Sequence, residues 1–196
     1  MIFRWINEYC SSRSVRSPHL DLRTYVLIVD DDHYLDWESL MSYLNEIDED
    51  REMTTYERRT FLTGSLLVRS RPQRSISDHR YVSIIDYPFD VYPPFLSTRC
   101  LLMTRYNVRL TYLASLYTRL FPFDDVYLGL LVYAMSTKLI ENNRLFSSTL
   151  DPTSSTALPK DRTELNNVKR PICVGGYRAD VLIHSWNGIH HTNFTV

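Results

Sequence analysis

The sequence predicts an α/β domain. Three observations carry that expectation: a short apolar, β-branched run at Tyr25 to Val29, stretches with helical apolar spacing on either side of it, and 196 residues of which 44% are hydrophobic. A chain of this size is expected to form one globular unit that buries roughly 70% of the surface its unfolded form exposes. The balance of 22 basic against 23 acidic residues leaves a net charge of −1. No overall field then draws in phosphate backbones or anionic lipid, and no nucleic-acid partner is expected.

The elements follow in order. Ile2, Trp5, Ile6 and Tyr9 recur at i, i+3, i+4 and i+7, one apolar face of a short helix ending near Ser11-Ser12. Tyr25 to Val29 is too short for a helix and reads as a strand buried on both faces. It runs directly into Asp30-Asp31-Asp32. Asp36 can then cap a helix with apolar positions Trp37, Leu40, Met41 and Leu44, which the charged stretch Asp48 to Glu52 ends. Thr60 to Val68 and Tyr81 to Ile85 read as strands joined by a polar, hairpin-type connection bearing Arg69, Arg71 and Arg74.

Tyr92-Pro93-Pro94-Phe95 must be extended, because each proline fixes its own φ and restricts the residue before it. Cys100 to Met103 resumes an apolar strand. A helix is expected over Tyr106 to Leu120, stopping before Pro122. Asp124 and Asp125 open another, carried by Val126, Gly129, Leu130 and Tyr133, with Asp124 as its N-cap. From Ser147 to about Thr163 the chain is rich in Ser, Thr and Pro and reads as a loop or linker.

Several function classes find no support. Only five glycines occur, none in a pattern that cradles phosphate with backbone amides. The longest apolar stretches, such as Leu128 to Met135, fall far short of the ~20 residues that span a bilayer. Cys10, Cys100 and Cys173 form no C-x-x-C pair, so zinc is unsupported, although one pair could bridge. His190-His191 has no carboxylate or cysteine at ligand spacing and reads as a surface tail. Most aromatic residues lie on apolar faces, where core packing explains them. Arg69, Arg71 and Arg74 read as a solvated face.

Two acidic clusters could carry chemistry. Asp30-Asp31-Asp32 emerges from the end of an apolar strand, and two carboxylates one residue apart can face a hard divalent ion such as Mg2+ or Mn2+. A solvated acidic turn explains the same residues without a metal. Asp124-Asp125 is explained by capping and the helix dipole, but a carboxylate at a helix start is also a workable general base.

Val26 to Asp32 alone resembles the opening strand of a receiver domain, a metal-binding signalling module. No later apolar strand from Thr60 to Ile85 ends in a phosphoacceptor aspartate, and the lysines are only Lys138, Lys160 and Lys169. Four motifs in order resemble another family more closely. They are the helix of Trp5, the strand Val26 to Asp32 with its following helix Leu35 to Leu44, the Gly64 strand with Tyr92-Pro93-Pro94-Phe95, and Asp124-Asp125-Val126-Tyr127-Leu128-Gly129. Together they resemble the family 31 glycosyltransferases, the β-1,3-galactosyltransferase and β-1,3-N-acetylglucosaminyltransferase group, in its nematode-like branch.

The resemblance implies a GT-A type α/β fold with a mixed, mostly parallel sheet flanked by helices, incomplete at the N-terminus. It divides the chain into 1–146, the C-terminal part of a catalytic domain, a loop over 147–169, and a closing segment over 170–196 of which Gly176-Tyr177 through Trp186 carries the match. It implies inverting transfer of galactose or N-acetylglucosamine from a UDP-sugar to an acceptor glycan on glycoprotein or glycolipid. Asp30 and Asp32 would hold Mn2+ on the donor diphosphate with Asp31 between them, and Asp125 would be the catalytic base. Tyr92, Pro93 and Pro94 would form the acceptor-side wall.

It also implies a lumenal place at the Golgi membrane, with the anchor outside this sequence; Asn193-Phe194-Thr195 is a glycosylation sequon that suits a lumen. Ser97-Thr98-Arg99-Cys100 departs from the small, mostly glycine residues the family carries after its prolines. Arg99 there, and the family's first strands lying outside the chain, favour a rival expectation: a non-catalytic relative or fragment. On the leading reading this chain alone transfers little sugar, and an N-terminally extended one transfers more.

Overall fold

A computed structural model describes residues 2–9, 24–147, 171–175 and 179–190. Its order is α1 (Ile2–Tyr9), β1 (Tyr25–Val29), β2 (Tyr34–Leu35), α2 (Trp37–Glu49), α3 (Thr55–Arg59), β3 (Leu62–Leu67), β4 (Phe95–Thr104), α4 (Arg105–Ser115), α5 (Asp124–Ala134), β5 (Ile140–Glu141), β6 (Phe146–Ser147), β7 (Cys173–Val174) and α6 (Ala179–His190). Cys10, the Ser11-Ser12 helix end, the loop from 148 to 170, Gly176-Tyr177, His191 and the sequon lie outside the described residues.

The main sheet has the order β1-β4-β3-β5, and a small sheet has the order β2-β7-β6. The class is the expected mixed α/β. The pairing corrects the expectation of a mostly parallel sheet. β1 and β3 both run antiparallel to β4, and among the described strands the parallel pairs are β3–β5 and β6–β7. β4, ten residues long, lies between β1 and β3 and pairs antiparallel with both. β1 is covered on both faces as expected, Val26 and Ile28 packing on one layer and Tyr25 and Leu27 on the other, but it is only half-buried because it lies at the sheet edge.

Side-chain alternation along β4 sorts the core into two layers. Leu101 and Met103 face Ile6 of α1, Val108 of α4, and Leu128 and Val132 of α5. Cys100 and Leu102 face Leu40 and Ile47 of α2, with Phe146, Ile172 and Cys173. A disulfide joins Cys100 to Cys173, so the segment carrying β7 is cross-linked to the central strand. At its other end β4 breaks register: five residue steps from Leu101 back to Leu96 oppose only two from Gly64 to Leu66. Ser97, Thr98 and Arg99 lie in this excursion, the kind of irregularity that re-aims side chains beside functional sites.

Local chemistry explains most boundaries. Asp36 caps α2 as expected, accepting from Ser39 N at 2.9 Å. Thr104 caps α4, which ends at Ser115 rather than Leu120; Leu116 and Tyr117 make tighter i→i−3 bonds there, and Thr118 Oγ1 donates to Ala114 O. Two tryptophans depart from their expected faces. Trp5 is 57% and Trp37 64% exposed, while the neighbouring Ile6 and Leu40 are buried.

The expected strand Tyr81 to Ile85 does not form. Arg74 donates to the carbonyls of Val82, Tyr87 and Phe89, gathering residues 82–89 into a loop. Ser83 and Asp86 close a turn inside it, and only a single bridge, Gln73 to Tyr81, remains of the sheet-like pairing. Arg74 is therefore a structural clamp rather than part of a solvated face.

Gly129 lets α5 lie directly on β4. A Cβ added there would stand 2.4 Å from Phe95 Cβ and 3.3 Å from Phe95 Cα. Gly129→Ala is expected to lower stability by about 1–3 kcal/mol through overpacking. A helix without this contact would gain roughly 1 kcal/mol from the same change. The sign of the Tm shift in thermal unfolding therefore checks the close packing.

Candidate active site

The two acidic clusters approach the same stretch of β4 from opposite sides. From β1, Asp30 continues the ladder, its N–H donating to Arg99 O at 2.8 Å. From α5, Asp124 Oδ2 accepts from Thr98 Oγ1 at 2.9 Å. Asp30, Thr98 and Asp124 share the wall of a cavity of about 740 Å3 with Tyr112, Phe121 and Tyr127. Residues 94 positions apart in sequence are brought together because adjacent positions of the irregular β4 segment hold each of them.

At the end of β1, Asp30, Asp32 and His33 offer one ligand atom each, all within 4.8 Å of one another. Asp30 and Asp31 are exposed and Asp32 half-buried. His33 is the residue that sequence reasoning missed. Its side chain is fully buried, and Nδ1 lies 2.5 Å from Asp32 Oδ1. Two carboxylate oxygens backed by an imidazole form a donor set suited to Mn2+ or Mg2+ rather than to a soft metal. The residues present fit such an ion.

At the start of α5 the structure corrects one detail. Phe123, not Asp124, occupies the N-cap and makes no side-chain cap; Asp124 and Asp125 are the first two helical residues. Asp124 is exposed and already accepts from Thr98 Oγ1 and Asp125 N. Asp125 is half-buried, its Oδ1 accepting from Val126 N at 2.7 Å. Burial pushes the Asp125 carboxyl above its ordinary range, opposed by the Val126 amide, reinforced by the charge of Asp124 and countered weakly by Arg99. A carboxylate that holds its proton more tightly is better suited to accept one from a substrate hydroxyl.

Tyr92 is buried against Tyr87, Phe95 and Phe121, with ring centroids 4.9, 6.4 and 5.8 Å away. Burial raises its hydroxyl pKa; Arg74 opposes the shift, while Tyr87 and the nearby Asp125 add to it. Pro93 is half-buried and Pro94 exposed. Tyr92 thus belongs to an aromatic cluster behind Phe121, and none of Tyr92, Pro93 and Pro94 lines the cavity shared by Asp30 and Asp124.

The galactosyltransferase family model matches residues 1–143. The chain belongs to the galactosyltransferase family. The β-1,3-galactosyltransferase brn of Drosophila melanogaster is 32% identical over 114 residues, covering 58% of this chain and 33% of that protein. The human UDP-GalNAc:β-1,3-N-acetylgalactosaminyltransferase 1 is 23% identical over 188 residues, 95% of this chain and 48% of the relative. Mouse β-1,3-galactosyltransferase 1 is 27% identical over 143 residues, 73% of this chain and 39% of the relative. The chain spans a third to a half of the length of these β-1,3-glycosyltransferases. Among the described residues, no helix of this family member is long and apolar enough to cross a membrane.

Proposed function

We propose that this chain contributes the metal-binding and acceptor-activating part of an inverting β-1,3-hexosyltransferase of GT-A type. Residues 1–146 and 170–196 belong to one catalytic unit, with 147–169 as a loop between them. The donor is a UDP-sugar, carrying galactose or N-acetylglucosamine, and the acceptor is a hydroxyl of a glycan on glycoprotein or glycolipid. The observation that carries this reading is the shared attachment to β4, Asp30 through Arg99 and Asp124 through Thr98, at one cavity.

Asp30 and Asp32 would hold Mn2+, with Asp31 beside them on the donor side. The ion, when bound, supplies positive charge that offsets the charge gathering on the departing diphosphate. Asp125 takes the proton of the acceptor hydroxyl as its oxygen bonds to the anomeric carbon; the bond from that carbon to the diphosphate oxygen breaks, and its electron pair leaves with UDP. Tyr92, Pro93 and Pro94 shape the acceptor side. The Cys100–Cys173 disulfide suits an oxidising compartment such as the Golgi lumen. The catalytic unit would face the lumen at the Golgi membrane.

Transfer from UDP-galactose and UDP-N-acetylglucosamine to simple glycan acceptors, with Mn2+ and with EDTA, tests the reading. It is to be run on this chain and on a chain extended N-terminally to the length of its relatives. Little transfer by this chain alone is expected, and from the extended chain a β-1,3-linked product that EDTA suppresses and that Asp30→Ala with Asp32→Ala eliminates. Failure of the extended chain to transfer from either donor, or transfer indifferent to EDTA, would sink it.

A further inference from the structure

We infer that His33 is a positioning residue for the metal carboxylate Asp32, and that Gly175, far along the chain, exists in its present form to admit the His33 ring. This rests on the reading of Asp30 and Asp32 as a divalent-cation site.

β2 and β7 pair antiparallel with Tyr34 opposite Val174 and Leu35 opposite Cys173. Continued one step, that register sets His33 opposite Gly175. The ring fills the space a side chain would take: a Cβ on Gly175 would stand 2.0 Å from His33 Nε2 and 2.1 Å from Cε1. Nothing at that distance is a flexible chain end that could swing aside, since the ring is enclosed with no exposed side-chain surface. The segment bearing Gly175 is held by the Cys100–Cys173 disulfide and by Gly175 N donating to Ser147 O.

The enclosed ring has one polar contact to give. An ionised carboxylate only accepts, so Nδ1 carries the hydrogen and donates to Asp32 Oδ1 at 2.5 Å. Nε2 is left as a buried lone pair with no partner among the described residues. The side chain of Asp32 is 47% exposed while that of His33 is fully covered. The histidine therefore stands behind the carboxylate and leaves the second oxygen, Oδ2, for a cation. A hydrogen bond that fixes a ligating carboxylate in this way is typically worth 10–100-fold in metal affinity.

The test is a titration of the full chain with Mn2+ followed by electron paramagnetic resonance, alongside thermal unfolding. His33→Phe keeps the ring volume without the donor, His33→Asn keeps a donor, and Gly175→Ala expels the ring without touching His33. We expect His33→Phe and Gly175→Ala each to weaken Mn2+ binding at least 10-fold, with no further loss when combined, and His33→Asn to recover part of the affinity. Unchanged affinity in His33→Phe, with the wild type binding Mn2+, overturns the role of His33 alone. A wild type that binds no Mn2+ overturns the metal reading and this inference with it. Spin-echo modulation from a directly bound imidazole nitrogen also overturns it, by making His33 a ligand.

Discussion

In the N-terminally extended chain, Asp125→Asn is expected to lower sugar transfer by about 10²–10⁴-fold, the contribution of a positioned general base, while leaving the fold intact. Asparagine keeps an oxygen for the Val126 amide, so the start of α5 is preserved. The same change carries a second, less usual expectation. The folded chain raises the Asp125 pKa above its unfolded value, chiefly by burial. A group of that kind favours folding most below its unfolded pKa, about 3.9 for aspartate, and loses that contribution as pH rises through the folded value. At neutral pH the ionised carboxylate therefore opposes folding. The variant should match or exceed the wild type in Tm at pH 7, and its advantage should disappear as pH falls. A variant that is inactive and also destabilised at neutral pH would argue that Asp125 serves the helix rather than a reaction.

Cys100→Ser is expected to produce the largest loss of stability. The cross-link closes a loop of 73 residues, for which chain entropy alone gives about 4 kcal/mol, or roughly 8–16 °C in Tm for a chain of this size. Two side chains at the bond, Cys100 and Cys173, lie in the layer with Leu102, Phe146 and Ile172. Without the bond, the β7 segment is held to the body by the short β2 and β6 ladders. Thermal unfolding of wild type with and without reductant, compared with the variant, separates the cross-link from the side-chain change. If reduction leaves Tm unchanged, the bond is not part of the native protein.

Much of the fold was legible because short-range chemistry decides it. The run Tyr25 to Val29 has no helical period, Asp36 stands where a cap is needed, and two prolines after Tyr92 leave the backbone little choice. What escaped depended on partners distant in sequence. Tyr81 to Ile85 has the composition of a strand, but three carbonyls within residues 82–89 are claimed by one guanidinium, Arg74. The direction of β1 against β4 cannot be read from an apolar run of five residues. Of three cysteines, the pair that bonds is set by β4 and β7 meeting in one layer.

The site divides in the same way. Asp30, Asp32 and Asp125 stand out as carboxylates at element ends, where the motif order also points. His33 does not, because a histidine after three aspartates reads as the rest of a polar turn. Its burial becomes visible only with Gly175 opposite. The pairing of glycine and ring across β2 and β7 was a signal in principle, since Val-Gly-Gly after Cys173 marks a backbone that something approaches closely.

On the proposed reading, the aspartates after β1 and those opening α5 face one site across Thr98 and Arg99. Paramagnetic broadening of amide resonances by Mn2+, read on the isotope-labelled chain with and without UDP, tests it without requiring turnover. Broadening should centre on Asp30 to His33 and extend to Thr98, Arg99, Asp124 and Asp125. A second acidic cavity, about 410 Å3 and lined by Asp50, Glu52, Glu57 and Glu141, supplies the competing location. Broadening centred on that cavity, with Asp30 to His33 and Asp124-Asp125 left sharp, would mean that the two acidic clusters do not share a metal site.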